Sequence, residues 1–365
     1  MSASRRHEPE EIARALDMVA PGTALREALE NVIRAHNGAL IVIARPEKLE
    51  DLGIVSGGMK VDLEFTPMRL YELAKMDGAI VVSPDLTTIH YANAHLNPDP
   101  TMESNETGMR HLAANRTAKQ TGELVVAVSE RRRVVSLYQG QHDSHVLEDI
   151  GVVLNKANSA LATLDKFTRR LREEARVLTL HEYEGTVTLR EVVGAVGTFE
   201  YAVRIAEEIE AYVRELGSEG RLVDMQLGEA FGRVPKQYDA LLRDYITEDS
   251  DLREVRRELR ELSSSELSEP MEIARVLGYG SVGQIEDYFL VPRGYRQLAQ
   301  VPRLPKKVSE NLIRTFGSLD SLMEATEEEL DDVDGVGQAR ARTIQRVLER
   351  QKNAETAVDA GEMPR

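Results

Sequence analysis

The sequence predicts an α/β N-terminal domain with a mixed central sheet, then an all-α helical spine, then a C-terminal region of paired helical hairpins. Three observations support this fold class. Up to about residue 145, short apolar runs alternate with amphipathic helical patterns, which is typical of a layered α/β domain. Next comes a long apolar stripe at alternating spacings of three and four residues, which is typical of packed helices. After residue 296, a turn followed by a helix occurs twice.

The N-terminal region contains runs that are short, apolar and rich in β-branched residues, as buried strands are. These runs are Ala39–Ala44, Ala79–Val82, Leu124–Val128 and Val134–Tyr138. Two helices are predicted beside them. One runs from Thr23 to His36 and ends at Asn37-Gly38, and the other opens at Thr66, where the cap residue precedes a proline at the first helical position.

The helical spine begins with a stripe from Leu154 to Leu178, and a second helix follows that stops at Gly217. This periodicity indicates packing and, by itself, no particular function. The serines from Ser263, before Pro270, are typical of a linker. The expected boundaries are residues 1–148 for the N-terminal domain, 149–295 for the spine, 296–352 for the hairpin domain and 353–365 for a flexible tail.

The composition excludes several kinds of chemistry. The formal charge of −16 over 365 residues excludes binding to DNA by bulk attraction, so any contact with nucleic acid must be local and geometric. The absence of cysteine excludes disulfides, thiol nucleophiles and thiolate metal sites. No signal core follows residues 1–6, and no apolar run approaches the ~20 residues that cross a bilayer, so we expect a cytoplasmic protein without a membrane partner.

The second C-terminal turn, Val333 to Gly337, has the features of a phosphate-binding hairpin. Thr326 to Glu329 fits a capping box that starts the helix before the turn. Gly335 and Gly337 permit positive φ and expose their amides, and the N-terminus of the next helix adds a favourable dipole. Val336 can anchor the turn in the core.

This region resembles the tandem helix-hairpin-helix domains of DNA-repair and recombination proteins. The first copy, Val301 to Pro305, has prolines where the second has glycines, so it offers fewer amides. Residues 296–350 contain nine Lys or Arg and ten Asp or Glu, which favours weak binding directed by DNA structure. The alternative is a hairpin that serves only protein packing. The expected DNA contacts are Gly335, Val336, Gly337, Arg340, Arg342 and Arg346, with a basic edge at Arg303, Lys306 and Lys307.

Two N-terminal segments contain candidate site residues. Asp77-Gly78 lies between a helix and a buried strand. It is either an ordinary turn, or a carboxylate for a metal or sugar hydroxyl beside a glycine that lets a nucleotide approach. Arg110 and His111 lie in the first turn of a helix, where cations oppose the helix dipole. A bound phosphate would relieve that cost, whereas His111 alone is also typical of a surface histidine.

A third segment, Ser129 to Arg133, lies between two strands. It is either a solvated hairpin tip or a basic clamp on a triphosphate. The sequence contains no Walker-type loop, which excludes a P-loop enzyme, and no cluster of histidines and carboxylates has strong metal-ligand spacing.

Asp77-Gly78-Ala79, Arg110-His111 and Ser129 resemble the diadenylate cyclase domain. Further matching stretches are Ala118 to Gly122 and Pro292 to Arg296. With the helical spine and the helix-hairpin-helix region after it, the chain resembles the bacterial DNA integrity scanning family of diadenylate cyclases over nearly its whole length.

The resemblance implies that two ATP molecules condense to cyclic di-AMP and two pyrophosphates, with Mg²⁺ or Mn²⁺ as cofactor. It implies a homo-oligomer, an octamer in this family, in which pairs of cyclase domains face each other. It also implies binding of branched DNA, such as recombination junctions, coupled to synthesis in a cytoplasmic protein associated with the nucleoid.

The resemblance also implies roles for individual residues. Asp77 is the expected catalytic residue and orients the hydroxyl and the metal. The expected ATP-binding residues are Gly78, Ala79, Leu96, Met109, Arg110, His111, Leu112, Ala113, Ser129 and Arg132. The family usually reads Arg-His-Arg-Thr at this helix start, whereas Leu112 and Ala113 occupy the last two positions here. The alternative function is therefore a DNA-binding scaffold whose pocket binds ATP without efficient turnover.

Overall fold

A computed structural model describes residues 10–142 and 144–359. Residues 1–9, 143 and 360–365 lie outside the described residues, and so does the start of the chain from which we expect no signal peptide. The chain forms two compact units. The first comprises the residues up to Ser159 together with Glu208–Met225, and the second comprises Ala160–Glu207 and the residues from Gln226 onward. Within the described ranges, no helix is both long enough and apolar enough to cross a membrane.

The described part of the first unit is built on an eight-stranded mixed sheet, as predicted. The strands are β1 Ala39–Ile43, β2 Val55–Ser56, β3 Met59–Glu64, β4 Ala79–Val82, β5 Thr88–Leu96, β6 Leu124–Ser129, β7 Val134–Tyr138 and β8 His145–Val146. Their order is β2-β5-β4-β1-β6-β7-β8, and β3 also pairs with β5. Strands β1 and β4 run parallel, whereas the other described pairs are antiparallel.

Helices cover both faces of this sheet. They are α1 Glu10–Val19, α2 Ala24–Arg34, α3 Pro46–Asp51, α4 Pro67–Leu73 and α5 Met109–Thr121. Alternate strand residues face opposite sides: Ile41 and Val126 pack in a core with α1, α2 and α4, whereas Val42 and Val125 pack in a second core with α3 and α5. Because both faces are buried, the central strands are continuously apolar, and this pattern made them predictable.

Two helices of the first unit begin at the predicted caps. The hydroxyl of Thr23 accepts a hydrogen bond from the Arg26 amide at 3.1 Å, and Thr66 caps α4 with Pro67 at the first helical position. The predicted end of α2 is wrong by a few residues. Ala35 is the C-cap residue, because His36 already has a φ of 58° and leaves the helix.

The remaining helices form the spine and the C-terminal region. They are α6 Ile150–Glu184, α7 Leu189–Leu216, α8 Arg221–Phe231, α9 Val234–Tyr245, α10 Leu252–Glu261, α11 Ser264–Leu267, α12 Pro270–Ala274, α13 Tyr295–Leu298, α14 Lys306–Phe316, α15 Leu319–Glu324, α16 Glu327–Asp331 and α17 Gly337–Asp359. The predicted stripe of α6 is confirmed, since Leu164, Leu171 and Leu178 are buried. Gly217 follows the end of α7 with a φ of 50°.

The linker predicted between Ser263 and Pro270 is wrong. Ser263 is the N-cap of α11 and forms a capping box with Glu266, and Pro270 begins α12. Leu267 between them is 3% exposed. The serine-rich composition therefore reflects helix capping within the second unit rather than a flexible connection.

The stretch from Pro292 to Arg296 belongs to a buried polar junction between α6, α9 and α13. The Asp244 carboxylate accepts the backbone amides of residues 294–296 at 2.6 to 2.8 Å and thereby caps α13. The Arg296 guanidinium pairs with Glu182, whose side chain is 1% exposed. Burial and the neighbouring Glu182 carboxylate raise the pKa of Asp244 to about 7.

The repeat predicted in the C-terminal region is confirmed. Helices α13 and α14 flank the first turn, and α16 and α17 flank the second. The two copies share one core, which includes Val301 and Val308 of the first and Val333 and Val336 of the second. Helix α17 continues past residue 352 to Asp359 and so extends into the segment predicted as a tail.

Candidate active site and nucleic-acid interface

A cleft of about 990 Å³ lies in the first unit, where the start of β4, the end of β5, the start of α5 and the β6–β7 turn meet. The expected site residues that line it are Asp77, Gly78, Ala79, Leu96, Met109, Arg110, His111, Ala113 and Ser129. Two expected residues, Leu112 and Arg132, do not line this cleft. Residues not chosen individually as ATP-binding also line it: His36, Leu40, Ala94, His95, Gly108, Glu130, Arg131 and Arg133, of which the last three belong to the segment considered as a basic clamp. The two N-terminal segments chosen from the sequence therefore share one cleft.

Asp77 and Arg110 are the closest opposite charges in this cleft. The Nη2 atom of Arg110 lies 3.6 Å from Oδ1 of Asp77. The Asp77 side chain is fully exposed and that of Arg110 is 30% exposed. Because water screens so exposed a pair, it contributes little to folding stability, and both groups remain accessible to a ligand.

Gly38 makes room for the guanidinium of Arg110. A Cβ atom at Gly38 would lie 2.0 Å from Arg110 Nη1 and 2.6 Å from Cζ, far inside van der Waals contact. The Asn37-Gly38 pair was expected to end a helix, but α2 ends at Arg34. The glycine is required because the turn before β1 lies directly against this arginine.

Gly78 is required by the neighbouring strand rather than by a ligand. A Cβ atom there would lie 2.4 Å from the carbonyl carbon of Asn93, which has a φ of 52° in an irregular part of β5. The expectation that Gly78 also lets a nucleotide approach the backbone stays a prediction, since Gly78 lines the cleft. The glycine lets β4 and β5 approach each other and thereby fixes the position of Asp77 next to it.

The N-terminus of α5 is suited to an anion. Gly108 is its N-cap residue and provides no side-chain cap, and the first turn contains no acidic residue. The first amides of the helix therefore have no intrahelical acceptor. Arg110 and His111 lie in this turn, so free amides, the helix dipole and a cation converge at one end of the cleft.

His111 is buried, so the expectation of a surface histidine is wrong. The residue is 8% exposed, and its Nδ1 atom lies 2.9 Å from the Tyr138 hydroxyl. That hydroxyl donates a hydrogen bond to Oε1 of Glu106 at 2.8 Å. Nε2 of His111 is buried and has no hydrogen-bond partner within residues 10–142 and 144–359. Burial lowers the pKa of His111 and favours its neutral form.

Sequence reasoning missed Glu106 and Tyr138. Tyr138 was identified only as the end of a strand, and Glu106 lies in the segment before α5. They meet His111 because β7 crosses beneath α5, a contact that no local pattern reveals. Burial and the adjacent Glu106 carboxylate strongly raise the pKa of the Tyr138 hydroxyl, which therefore stays protonated.

The segment from Ser129 to Arg133 forms the β6–β7 turn, with Ser129 paired to Val134. The Ser129 hydroxyl accepts the Arg132 amide at 3.2 Å, which orders the turn. Arg131 and Arg133 line the cleft beside Ser129. The segment is thus a hairpin tip, as one alternative predicted, and it also brings positive charge to the cleft.

The cleft has an apolar floor made of Leu40, Ala79, Ala94 and Leu96. The first three are buried side chains of β1, β4 and β5. An apolar floor next to cationic groups is suited to a ligand with an aromatic ring and phosphates.

The second C-terminal turn has the predicted conformation. Gly335 and Gly337 have φ values of 86° and 66°, and Val336 is 3% exposed. Arg340 donates to the Gly335 carbonyl at 2.6 Å, which holds its side chain against the turn. Arg342 instead pairs with Glu327 at 3.1 Å.

The first turn presents side chains rather than amides. Pro305 is the N-cap residue of α14 and has no N–H to donate. Arg303 has a φ of 57°, and the side chains of Arg303, Lys306 and Lys307 are exposed. These residues form the predicted basic edge, next to a turn that offers few amides.

Comparison with protein families divides the chain into three matched segments. Residues 26–142 match the DisA bacterial checkpoint controller nucleotide-binding domain. Residues 147–286 match the DisA bacterial checkpoint controller linker region. Residues 301–356 match the helix-hairpin-helix motif. The fold and the cleft thus define a nucleotide-binding α/β domain joined to a helical linker and a helix-hairpin-helix region.

Similar proteins cover almost the whole chain. "DNA integrity scanning protein DisA" from Clostridium kluyveri is 44% identical, over 95% of this chain and 97% of its own length. The same-named proteins from Carboxydothermus hydrogenoformans and Bacillus subtilis are 46% and 43% identical, over 93% and 92% of this chain and 97% and 92% of their own lengths. The chain belongs to the DisA family of diadenylate cyclases, which are DNA integrity scanning proteins. Among solved structures, DacA from Staphylococcus aureus covers 38% of the chain, with 21% identity and a TM-score of 0.28.

Proposed function

We propose that this protein condenses two ATP molecules to cyclic di-AMP and two pyrophosphates, and that branched DNA bound at its helix-hairpin-helix region regulates this synthesis. The observation that supports the proposal is the shared cleft, in which the Asp77 carboxylate lies 3.6 Å from the cationic start of α5. We assign the cyclase to residues 1–148, the spine to 149–295 and DNA binding to 296–352.

The apolar floor holds the adenine ring in this proposal. Leu40, Ala79, Ala94 and Leu96 give it an apolar surface, and Gly78 keeps β4 close to β5 beneath it. The triphosphate extends toward α5, where the amides of the first turn, Arg110 and His111 bind its oxygens. Ser129 and the arginines of the β6–β7 turn close on the other side.

Asp77 acts on the 3′-hydroxyl of the bound nucleotide. Its carboxylate is exposed in the cleft, so it can accept a hydrogen bond from that hydroxyl and orient it. The hydroxyl gives its proton to the carboxylate while its oxygen bonds to the α-phosphorus of a second ATP, and the bond from that phosphorus to pyrophosphate breaks. The positive charges around the cleft stabilise the phosphate charge that develops.

A single cleft cannot complete this reaction, because the 3′-hydroxyl of the ATP in one copy attacks the ATP that is bound in another copy. We therefore propose a homo-oligomer in which two cyclase domains face each other, with the octamer of the family as the expected assembly. Pairing of identical faces is a symmetric interface, in which each chain contributes the same residues.

The cleft fits a Mg²⁺ or Mn²⁺ ion that arrives with the nucleotide. No group of three or more His, Asp or Glu side chains within the described ranges forms a metal site by itself. A single carboxylate together with substrate phosphates is, however, the usual donor set for such ions, and Asp77 would supply it. The ion would acidify the hydroxyl and offset phosphate charge.

We propose that the second hairpin binds the DNA backbone through the amides around Gly335 and Gly337, with Arg340 and Arg346 nearby and a basic edge at Lys306. The chain's charge of −16 disfavours binding along plain duplex DNA, so recognition depends on the shape of a branched site. We expect the protein to act in the cytoplasm at the nucleoid, where such DNA occurs.

A product assay tests the cyclase. Purified full-length protein is incubated with ATP and Mn²⁺ or Mg²⁺, and the products are separated by chromatography. We expect cyclic di-AMP from the wild type and at least about a 100-fold lower rate from Asp77→Asn, because losing a positioned base costs that much. Light scattering verifies that the variant keeps its assembly.

Asp51→Asn is the matched control, since Asp51 is an exposed carboxylate of the same unit outside the cleft. An unchanged rate in Asp77→Asn would contradict the role of that carboxylate. ATP binding by the wild type without any product would instead favour the scaffold alternative, for which the methyl group of Ala113 in the cleft wall is the motivating observation.

A further inference from the structure

A chain of three side chains, the half-buried Glu106 and the buried Tyr138 and His111, ends at the cleft, which His111 lines. Glu106 lies just before α5, Tyr138 ends β7, and His111 belongs to the first turn of α5. The Tyr138 hydroxyl contacts both neighbours, Glu106 Oε1 at 2.8 Å and His111 Nδ1 at 2.9 Å. Tyr138 is 1% exposed. The rings of Tyr138 and His111 meet edge to face, so their geometry is fixed by packing as well.

Counting hydrogens assigns the tautomer of His111. An ionised Glu106 carboxylate can only accept a hydrogen bond, so the single Tyr138 hydroxyl proton points to it. The Tyr138 oxygen is then left as an acceptor for His111, so Nδ1 must bear a hydrogen. In the neutral ring, Nε2 therefore bears a lone pair. This is the atom that is buried without a partner in the described residues.

The groups around the ring keep it neutral when the cleft holds no anion. Burial is the main cause of its lowered pKa, and the positive charges of Arg132 and Arg110 lower it further. The negative charge of Glu106 acts in the opposite direction. A triphosphate entering the cleft adds negative charge beside the ring and pairs with Arg110, which lines the cleft, so it raises the pKa of His111.

We propose that Glu106 and Tyr138 are positioning residues that direct the lone pair of His111 Nε2 to the nucleotide site, so that binding of a nucleoside triphosphate is accompanied by uptake of one proton at Nε2. The proposal rests on the cyclase function proposed above and deepens it. The protonated ring has two N–H groups. Nδ1 donates to Tyr138, and Nε2 donates to a phosphate oxygen, which satisfies the atom that has no partner among the described residues.

Proton uptake is measurable by calorimetry. Binding of a non-hydrolysable ATP analogue with Mg²⁺ is measured for the full-length protein in buffers with different heats of ionisation. The pH is mildly alkaline, so that the free analogue is fully ionised. The dependence of the heat on the buffer gives the number of protons taken up. We expect about one proton per bound analogue in the wild type, falling at acid pH where His111 is already protonated.

Glu106→Gln gives a signature that a purely structural role does not predict. A glutamine amide can donate to the Tyr138 oxygen, so the hydroxyl proton turns to Nδ1 and the neutral ring bears its hydrogen on Nε2. This ring donates to phosphate without taking up a proton. We therefore expect the variant to bind the analogue within about tenfold of wild-type affinity while its proton uptake falls below half.

Tyr138→Phe and Glu103→Gln complete the test. Tyr138→Phe removes the hydroxyl that connects Glu106 to His111, so proton uptake and affinity for the analogue should both fall. Glu103→Gln removes one charge from an exposed residue of the same segment and should behave like the wild type. Buffer-independent binding by the wild type, or full proton uptake by Glu106→Gln, would overturn the inference while leaving the cyclase proposal intact. Absence of any nucleotide binding would instead refute the proposed function itself.

Discussion

Gly78, which lines the cleft, and Gly38, which lies against Arg110, differ in what their missing side chains make room for. A side chain at Gly78 would collide with the backbone of Asn93, which cannot move without disturbing the sheet. A side chain at Gly38 would collide only with the guanidinium of Arg110, the far end of a flexible side chain. Gly78 is therefore needed for folding, whereas Gly38 is needed for the position of one cation.

At the residue scale, Gly38→Ala should damage the site and spare the fold. The new methyl group displaces the Arg110 guanidinium from its place 3.6 Å from Asp77. Losing one charge-assisted hydrogen bond to phosphate costs about 1.5–3 kcal/mol, so we expect about 10- to 100-fold weaker ATP binding. Calorimetric titration with a non-hydrolysable analogue measures this change.

Gly194→Ala is the control for this substitution, because Gly194 lies inside α7 with no atom close to the added methyl group. It should bind ATP like the wild type. Thermal unfolding should show little change for both variants. Wild-type affinity in Gly38→Ala would mean that Arg110 does not contact the phosphates.

Candidate site residues could be predicted from the sequence where their role follows from their immediate neighbours in the chain. Arg110 and His111 were found because cations at a helix start are unfavourable without an anion. Asp77 was found as a carboxylate at a helix-to-strand connection. Gly38 and Tyr138 were missed in this role, because each meets α5 only after the sheet forms and neither has a local pattern that marks such a contact.

At the scale of elements, the junction of α6, α9 and α13 places two carboxylates and one guanidinium out of water. Arg296 is the only cation that pairs with Glu182 in the described residues, and Asp244 caps α13 beside it. In the folded protein the pKa of Asp244 is raised to about 7. The unfolded chain ionises near the ordinary pKa, so folding stability decreases as the pH rises from about 4 to about 7.

Arg296→Met should destabilise the second unit strongly. It leaves both carboxylates buried without a cation, which costs about 3–5 kcal/mol in comparable cases. The loss should be smaller at acid pH, where Asp244 is protonated and uncharged. Chemical denaturation at acid and neutral pH measures both effects. Arg314→Met, at an exposed arginine of α14, should cost less than about 0.5 kcal/mol, and a similar loss in both variants would contradict this account.

Gly337→Val should weaken binding of branched DNA. Gly337 has a φ of 66° with open space around it, so valine meets a strained backbone rather than a clash. Such strain costs about 1–3 kcal/mol, and the turn relieves it by moving its amides away from the phosphate. We expect about tenfold weaker binding to a junction in a fluorescence anisotropy titration.

Gly317→Val is the matched control for the hairpin. Gly317 also has a positive φ, 77°, and open space, but it follows α14 instead of preceding a DNA-facing helix. Equal losses of DNA affinity in the two variants would indicate general destabilisation. An undiminished affinity in Gly337→Val would move the DNA contact to another part of the molecule.

Elements were predictable where burial produces a regular pattern. Strands β1, β4, β6 and β7 were recognised because both faces of the sheet are covered, whereas β3 and β5 were missed because their exposed polar residues break the pattern. The serines near Ser263 were wrongly predicted to form a linker for a related reason. Helix caps and linkers use the same residues, and only the buried Leu267 distinguishes them.

At the scale of the whole molecule, the proposed reaction requires two clefts, and the single chain has one in its described part that unites the predicted residues. A mixture of competent and incompetent copies tests this requirement. Wild-type protein and Asp77→Asn, in equal amounts and with different affinity tags, are unfolded and refolded together so that copies pair at random. The mixed assemblies are isolated through both tags in sequence, and their rate is compared with that of the wild type alone.

In the proposed octamer, which has four facing pairs, random pairing leaves about one quarter of the pairs with two intact carboxylates even after selection through both tags. If both are needed, the rate per chain falls to about one quarter of the wild-type value, whereas it falls to about one half if each chain works alone. The wild type mixed with Asp51→Asn should keep its full rate and controls for damage during refolding. A rate near one half would contradict the facing-pair mechanism, because in that proposal the carboxylate of one copy acts on a hydroxyl that attacks the nucleotide held by the other copy.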